Sequence, residues 1–183
     1  MDRPYFLAGD KIILRPFEES DLDLYYSGKN HPLVRETLFT FAPQTREQVL
    51  ADIKLQSSND KTLFFTICCK ETLIAAGETA FVRWDAVSRA AIFFLAIYDP
   101  QQWKKGFGSE ATKLMCEYGF EIINLNRIQL HVACENIAAV KSYEKAGFII
   151  EGTLRQAMYH NDRYCDFYVM GLLRSDYYRG KKR

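Results

Sequence analysis

Apolar positions in the middle of the chain come in three dense runs, Leu63–Cys69, Leu73–Trp84 and Arg89–Tyr98. The polar stretches Lys70-Glu71-Thr72 and Asp85–Ser88 separate them. Runs of this length, rich in β-branched and aromatic residues and joined by short turns, predict an antiparallel meander. Gly77 inside the second run marks a bulge. After Asp99-Pro100 the period changes. Phe107, Ala111, Leu114, Tyr118 and Ile122 recur at helical spacing, which predicts one buried face of a four-turn helix ended by Asn124–Asn126. Ile128–Cys134 reads as a strand. Because a helix connects it to Arg89–Tyr98, the two run parallel. Asn136 then caps a short helix with Val140 and Tyr143 turned inward, and Gly147 closes it at the C′ position. Phe148–Leu154 and Tyr164–Leu173 are the last strands, with His160-Asn161-Asp162 in the turn.

The first sixty residues are less regular. Lys11–Arg15 alternates weakly and stops at Pro16, a first strand. Glu18–Gly28 carries Leu22, Tyr25 and Tyr26 at helical spacing, with Asp21 and Asp23 near its start, as the helix dipole favours. Asn30-His31-Pro32 breaks it, and Leu33–Phe39 forms another short helix. Thr45-Arg46-Glu47-Gln48 has the form of a capping box and opens a helix over Arg46–Gln56. The whole predicts a mixed α/β sheet with helices on both faces, one domain over residues 1–183.

Candidate chemistry gathers between Ala91 and Ser109. A strand, the break at Asp99-Pro100, the turn Lys104-Lys105-Gly106-Phe107-Gly108-Ser109 and a helix follow one another. A helix N-terminus exposes unpaired N–H groups with partial positive charge, glycine lets backbone approach an anion, and two lysines add to the field. These residues read as a pyrophosphate cradle, and by themselves equally well as a tight turn. No G-x-x-x-x-G-K-[ST] occurs, so a nucleotide-hydrolysing loop is not expected. A dinucleotide fingerprint fails for want of an acidic ribose partner.

With the later stretch Asn136-Ile137-Ala138-Ala139-Val140-Lys141-Ser142-Tyr143-Glu144-Lys145-Ala146-Gly147-Phe148, the turn resembles two motifs of the GNAT family of acyl-CoA N-acyltransferases. These are a [Q/R]-x-x-G-x-[G/A] loop and a following N-x-x-A-x-x-x-Y-x-K-x-G-F. The leading Gln/Arg position here is Trp103. That departure is usual in the subgroup containing ribosomal-protein N-terminal acetyltransferases and spermidine N-acetyltransferases. The resemblance runs from Leu14-Arg15-Pro16 to the last strand. It implies a seven-stranded, mostly antiparallel mixed sheet and acetyl-CoA as cosubstrate. Lys104, Lys105, Gly106, Phe107, Gly108 and Ser109 would hold the pyrophosphate. The main chain of Ala96, Ile97 and Tyr98 would take the pantetheine arm and offer an N–H to the thioester oxygen. Asn136 matches the cofactor-contacting Asn and reads equally as a helix cap. Tyr143 falls where the family keeps its general acid, a phenol protonated at neutral pH; a core aromatic is the plainer reading. His131 stands where some members place a Glu base, and an imidazole can move a proton there. Glu78 and water are rivals for that step.

Composition narrows this further. Among 183 residues, 48% are hydrophobic and 26% charged, with net charge +1, so nucleic acid is not an expected partner. The half carrying the cradle is slightly the more basic. The tail Arg179–Arg183 reads as a solvated end. No apolar run nears membrane-spanning length and no signal region is evident, so no membrane contact and a cytoplasmic location are expected. Five cysteines, two of them adjacent and none in a C-x-x-C, read as reduced thiols. His31, His131 and His160 have no partners at ligand spacing, so no metal is expected. A protein or peptide N-terminal amine is the expected acceptor, because the acids of the first half do not cluster as a polyamine pocket would need. A polyamine or amino sugar is the alternative, and a non-catalytic acetyl-CoA-binding module the other. A homodimer is compatible with the sequence.

Overall fold

The structure is a computed structural model and describes residues 4–181. Its strands are β1 (Leu7–Ala8), β2 (Ile12–Arg15), β3 (Leu63–Cys69), β4 (Ala75–Asp85), β5 (Ala90–Ile97), β6 (Arg127–Ala133), β7 (Ile149–His160) and β8 (Arg163–Leu173). Its α-helices are α1 (Leu22–Asn30), α2 (Pro32–Leu38), α3 (Arg46–Ser58), α4 (Phe107–Glu117), α5 (Ile137–Lys145) and α6 (Arg174–Lys181). The strands form one sheet in the order β1-β2-β3-β4-β5-β6-β8-β7. This is a mostly antiparallel mixed sheet as expected, with eight strands rather than seven. The additional strand is β1, a two-residue pairing of Leu7 and Ala8 with β2 that is too short to leave a period in the sequence.

Among the described residues only β5 and β6 run parallel, and their pairing is brief: Ala90, Ala91 and Ile92 face Arg127, Ile128 and Gln129. Beyond that point the strands part. β5 stays bound to β4 as far as Ile97, and β6 stays bound to β8 as far as Ala133. Each is held along its length by an antiparallel neighbour, and parallel pairing is the weaker per residue. The twisted sheet therefore opens at its one parallel seam.

Strand alternation sends apolar side chains into two cores. Phe81, Ala91, Phe93, Ile128, Leu130 and Val132 meet α4 and α5 on one face. Ala96 and Tyr98 meet Tyr25, Val34, Val49 and Ile53 from α1, α2 and α3 on the other. Gly28 sets α1 close to the sheet, since a Cβ there would lie 2.3 Å from Tyr98 Cβ. The capping box at Thr45 and Gln48 forms in both directions, and the bulge falls at Ala76, next to Gly77.

Two local expectations change. The helix after the cradle is α-helical only to Glu117. Tyr118–Ile122 forms a wider π-turn in which Ile123 N–H donates to Tyr118 O. The wider turn shifts the helical phase, so Phe120 is buried and Ile122, expected on the inner face, is exposed. The tail is partly docked: Tyr177 packs on Phe120, and Lys181 pairs with Glu121. Residues 182 and 183 of that tail lie outside the described residues.

Candidate active site

The opening between β5 and β6 joins the two faces of the sheet. On the α4/α5 face, Phe93 is the first residue past the last pairing. Tyr143 packs edge-on against it at 6.2 Å between ring centroids, and against Phe148 at 6.0 Å. Burial pushes the Tyr143 phenol up to about 12. Its hydroxyl makes no hydrogen bond among the described residues.

At the end of β5 the chain turns into α4. Gly106 takes φ +92°, a left-handed conformation that side chains resist, and Lys104 takes φ 63°. The turn leaves the N–H groups at the start of α4 facing outward, with Lys104, Lys105, Gly106 and Ser109 exposed and Phe107 buried as an anchor. Gly108 differs from Gly106: its φ is ordinary, and a Cβ there would touch only Leu95 Cδ2, at 3.5 Å. Sequence reasoning missed Lys11. The β1–β2 turn brings its Nζ to Lys105 O at 3.1 Å, while its N–H donates to the Glu110 carboxylate at 3.0 Å. A groove of about 470 Å³ lies between that turn and α4, lined by Asp10, Lys11, Gly106, Ser109 and Lys113 among others. Ser109 and Ser142 hydroxyls meet at 2.8 Å, tying α4 to α5. Asn136 accepts from Ala139 N–H at 3.2 Å and so caps α5. Its amide nitrogen has no partner among the described residues.

The β5 backbone divides by direction. Tyr98 N–H donates to Ala76 O at 2.9 Å, so Tyr98 faces β4. Alternation turns Ala96 to β4 as well, against Glu78, and turns Leu95 and Ile97 to the opening. Of the expected backbone set, only Ile97 presents its main chain to the opening, and Leu95 joins it. Trp103 Nε1 donates to Ile97 O at 3.0 Å, which fixes the loop that leads to the cradle. An exposed glycine turn, a positive helix N-terminus, three lysines and inward backbone groups fit a pyrophosphate followed by a pantetheine arm.

On the opposite face, Glu78 is 3% exposed and its Oε2 has no partner. Burial raises its carboxyl above the usual range, with Lys29 and the Tyr98 hydroxyl opposing. Burial likewise lifts the Tyr98 and Tyr25 phenols well up, and Tyr25 shares a 2.8 Å hydrogen bond with Thr66. His131 lies on this same face of β6, exposed, past the point where pairing stops. Its Nε2 sits 3.1 Å from Gln129 Nε2. Above the opening, the end of α2 reaches the β7–β8 turn. Glu36 Oε2 accepts from Asn161 at 2.7 Å and pairs with His160 at 3.0 Å, and Phe39 packs on His160 and Phe167. Since α2 belongs to the β4–β5 side and the turn lies beyond β6, this contact spans the opening. No group of three or more metal-ligating side chains occurs among the described residues, and no described helix is long and apolar enough to cross a membrane.

A sheet split at one parallel seam, with an exposed helix N-terminus on one face and a buried carboxyl on the other, is an arrangement suited to an acyl-CoA-dependent acyltransferase. A family model described as an acetyltransferase (GNAT) domain matches residues 11–149. An uncharacterized N-acetyltransferase, p20, of Bacillus licheniformis is 33% identical over 180 residues, covering 93% of this chain and 97% of that protein. Spermidine N(1)-acetyltransferase of Vibrio cholerae is 31% identical, covering 91% and 95%. A crystal structure of spermidine N-acetyltransferase from Vibrio cholerae with CoA and spermine superposes with a TM-score of 0.84 at 27% identity, covering 92% and 98%. The chain belongs to the GNAT family and is an N-acetyltransferase that uses acetyl-CoA.

Proposed function

We propose that the acceptor is a primary amine on a small, flexible alkyl chain, a polyamine of the spermidine class, rather than the peptide or protein N-terminus favoured by sequence alone. One observation carries this: the α2 contact with the β7–β8 turn roofs the acceptor face, whereas a peptide needs an open groove. The roof also carries the exposed Glu36 carboxylate, an anionic point for a molecule with several ammonium groups. Hydrogen bonds from His160 and Asn161 lower the Glu36 carboxyl and keep it charged. The spermidine-acetylating relatives add weight.

Bound acetyl-CoA supplies an activated acyl thioester. The Lys104–Ser109 turn and Lys11 would hold its anionic end, and the main-chain groups of Leu95 and Ile97 would face its arm. Glu78 takes the proton of the acceptor ammonium, a role suited to a carboxyl that burial makes more basic than usual. Tyr143 gives a hydrogen bond to the departing sulfur. At about 12 it keeps its proton, and full transfer to a thiolate whose thiol titrates near 8.5 runs uphill. The sulfur's proton therefore comes from the amine by way of solvent.

Comparison of kcat/KM for spermidine with that for a peptide bearing a free N-terminal Ala tests the acceptor. Spermidine should lead by at least about tenfold, a 1.4 kcal/mol preference. A peptide lead of that size would return the acceptor to a protein N-terminus.

A further inference from the structure

We propose that Gln129 is a positioning residue that fixes the tautomer of His131, so that His131 offers a hydrogen bond at the opening and does not act as a base. The inference rests on the acetyl-transfer reading above. It starts from a row of side chains spanning three strands. Glu151 on β7 holds Arg127 on β6, with Nη1 donating to Oε1 at 2.7 Å and Nη2 donating to Oε2. The same Nη2 donates to Gln129 Oε1 at 3.1 Å. Gln129 Nε2 then faces His131 Nε2 at 3.1 Å.

Each link dictates the next. A guanidinium can only donate, so it must face the amide oxygen of Gln129, and the amide nitrogen must turn to His131. That nitrogen can only donate, so His131 Nε2 must accept. A neutral imidazole accepting at Nε2 carries its proton on Nδ1. The two ring nitrogens point nearly opposite ways. With Nε2 turned back towards Gln129, where β5 and β6 are still joined, Nδ1–H is left on the side away from Gln129, the direction in which the two strands part. A fixed N–H donor there is placed to meet the oxygen that gains charge as the thioester is attacked.

The row is built into the sheet. Glu151 is the extra residue of a bulge, between Ile150 opposite Met170 and Gly152 opposite Val169. It must cross β8 to reach β6, and it crosses at Gly171, where a Cβ would lie 2.4 Å from Glu151 Oε1. Gly171 pairs with Gln129 on one side and Ile149 on the other. A side chain at 171 would dislodge the carboxylate that anchors the row.

The test is nitrogen-15 NMR of the imidazoles, which reads tautomers without any turnover and involves only three histidines. His131, assigned by the loss of its signals in His131→Asn, should show the Nδ1–H form. In Gln129→Leu and in Gly171→Ala it should change to Nε2–H or to a mixture. An Nε2–H form in the unmodified protein, or a pattern unmoved in Gln129→Leu, overturns the proposal. Kinetics separate donor from base. His131→Ala should lower kcat about 10²-fold, the usual loss of one oxyanion donor. His131→Asn, whose amide N–H occupies nearly the place of Nδ1–H, should recover most of that loss. Equal loss in both variants would make His131 the base. If every amine fails as acceptor while the Nδ1–H form is observed, the acetyl-transfer reading falls and the tautomer assignment stands.

Discussion

At the scale of single residues, Glu78 joins stability to chemistry. Its carboxyl is raised by burial, so the folded state prefers it protonated, whereas the unfolded chain ionises it at an ordinary carboxylate pKa. The unfolded chain therefore binds fewer protons above that value, and stability falls as pH rises through the folded pKa. Glu78→Gln removes the penalty. Its Tm should exceed that of the parent at pH 8 and converge with it near pH 4, in thermal melts at both values. The same variant should lose the acidic limb of the kcat/KM profile and most of its turnover, about 10²–10⁴-fold for loss of a general base. A Tm difference independent of pH would mean Glu78 is not buried in ionisable form. Tyr143→Phe keeps the ring contacts with Phe93 and Phe148 and removes only the hydroxyl. It should lower kcat at least about tenfold while leaving the CoA dissociation constant within about twofold, consistent with a donor used only in the transition state. Unchanged kcat with chemistry limiting would leave Tyr143 a packing residue.

At the scale of elements, the proposed acceptor rests on the contact of α2 with the β7–β8 turn. This roof rests on exposed contacts of Glu36 with His160 and Asn161 and on the Phe39 ring between His160 and Phe167. Exposed pairs of this kind add little to stability. Glu36→Ala should therefore leave Tm within about 2 °C. It should raise KM for spermidine at least about tenfold, a loss of 1.4 kcal/mol of binding, with kcat within about threefold. A fall in kcat at unchanged KM would place Glu36 in the chemical step instead. The elements themselves were largely legible in the sequence, because each follows from a local period or cap. The Thr45–Gln48 capping box, the meander, the Asn136 cap and the Gly147 C′ position all appear where those signals lie. The π-turn after Glu117 was not legible, since a shift from four-residue to five-residue hydrogen bonding leaves the apolar residues in place and changes only their direction. Gly119 sits in that turn where a Cβ would crowd Ile128 and Phe81 at 3.0 Å, a constraint visible only in three dimensions.

At the scale of the whole molecule, one short parallel pairing organises everything else. It splits the sheet, lets α4 point its N-terminus at one side of the split, and puts Glu78 and His131 on the other. The Lys104–Ser109 turn could be read from the sequence because its signals are contiguous. The roof, the Lys11 contact and the row from Glu151 to His131 could not, because their partners come from strands or turns far apart in the chain. The direction of the Ala96, Ile97 and Tyr98 backbone groups also needed the β4 register, since alternation gives opposite directions without saying which residue has which. The account as a whole stands on the cradle, and Gly108 tests it more cleanly than Gly106. A side chain at Gly106 strains a left-handed turn whatever binds there, whereas Gly108 has room for a Cβ. Calorimetric titration of CoA into Gly108→Val and Gly108→Ala is the direct measurement. The branched side chain of Val should weaken binding at least about tenfold, or 1.4 kcal/mol, with Tm nearly unchanged, while Ala should bind like the parent. Equal CoA affinity in the parent, Gly108→Ala and Gly108→Val would contradict the placement of the cofactor at the start of α4.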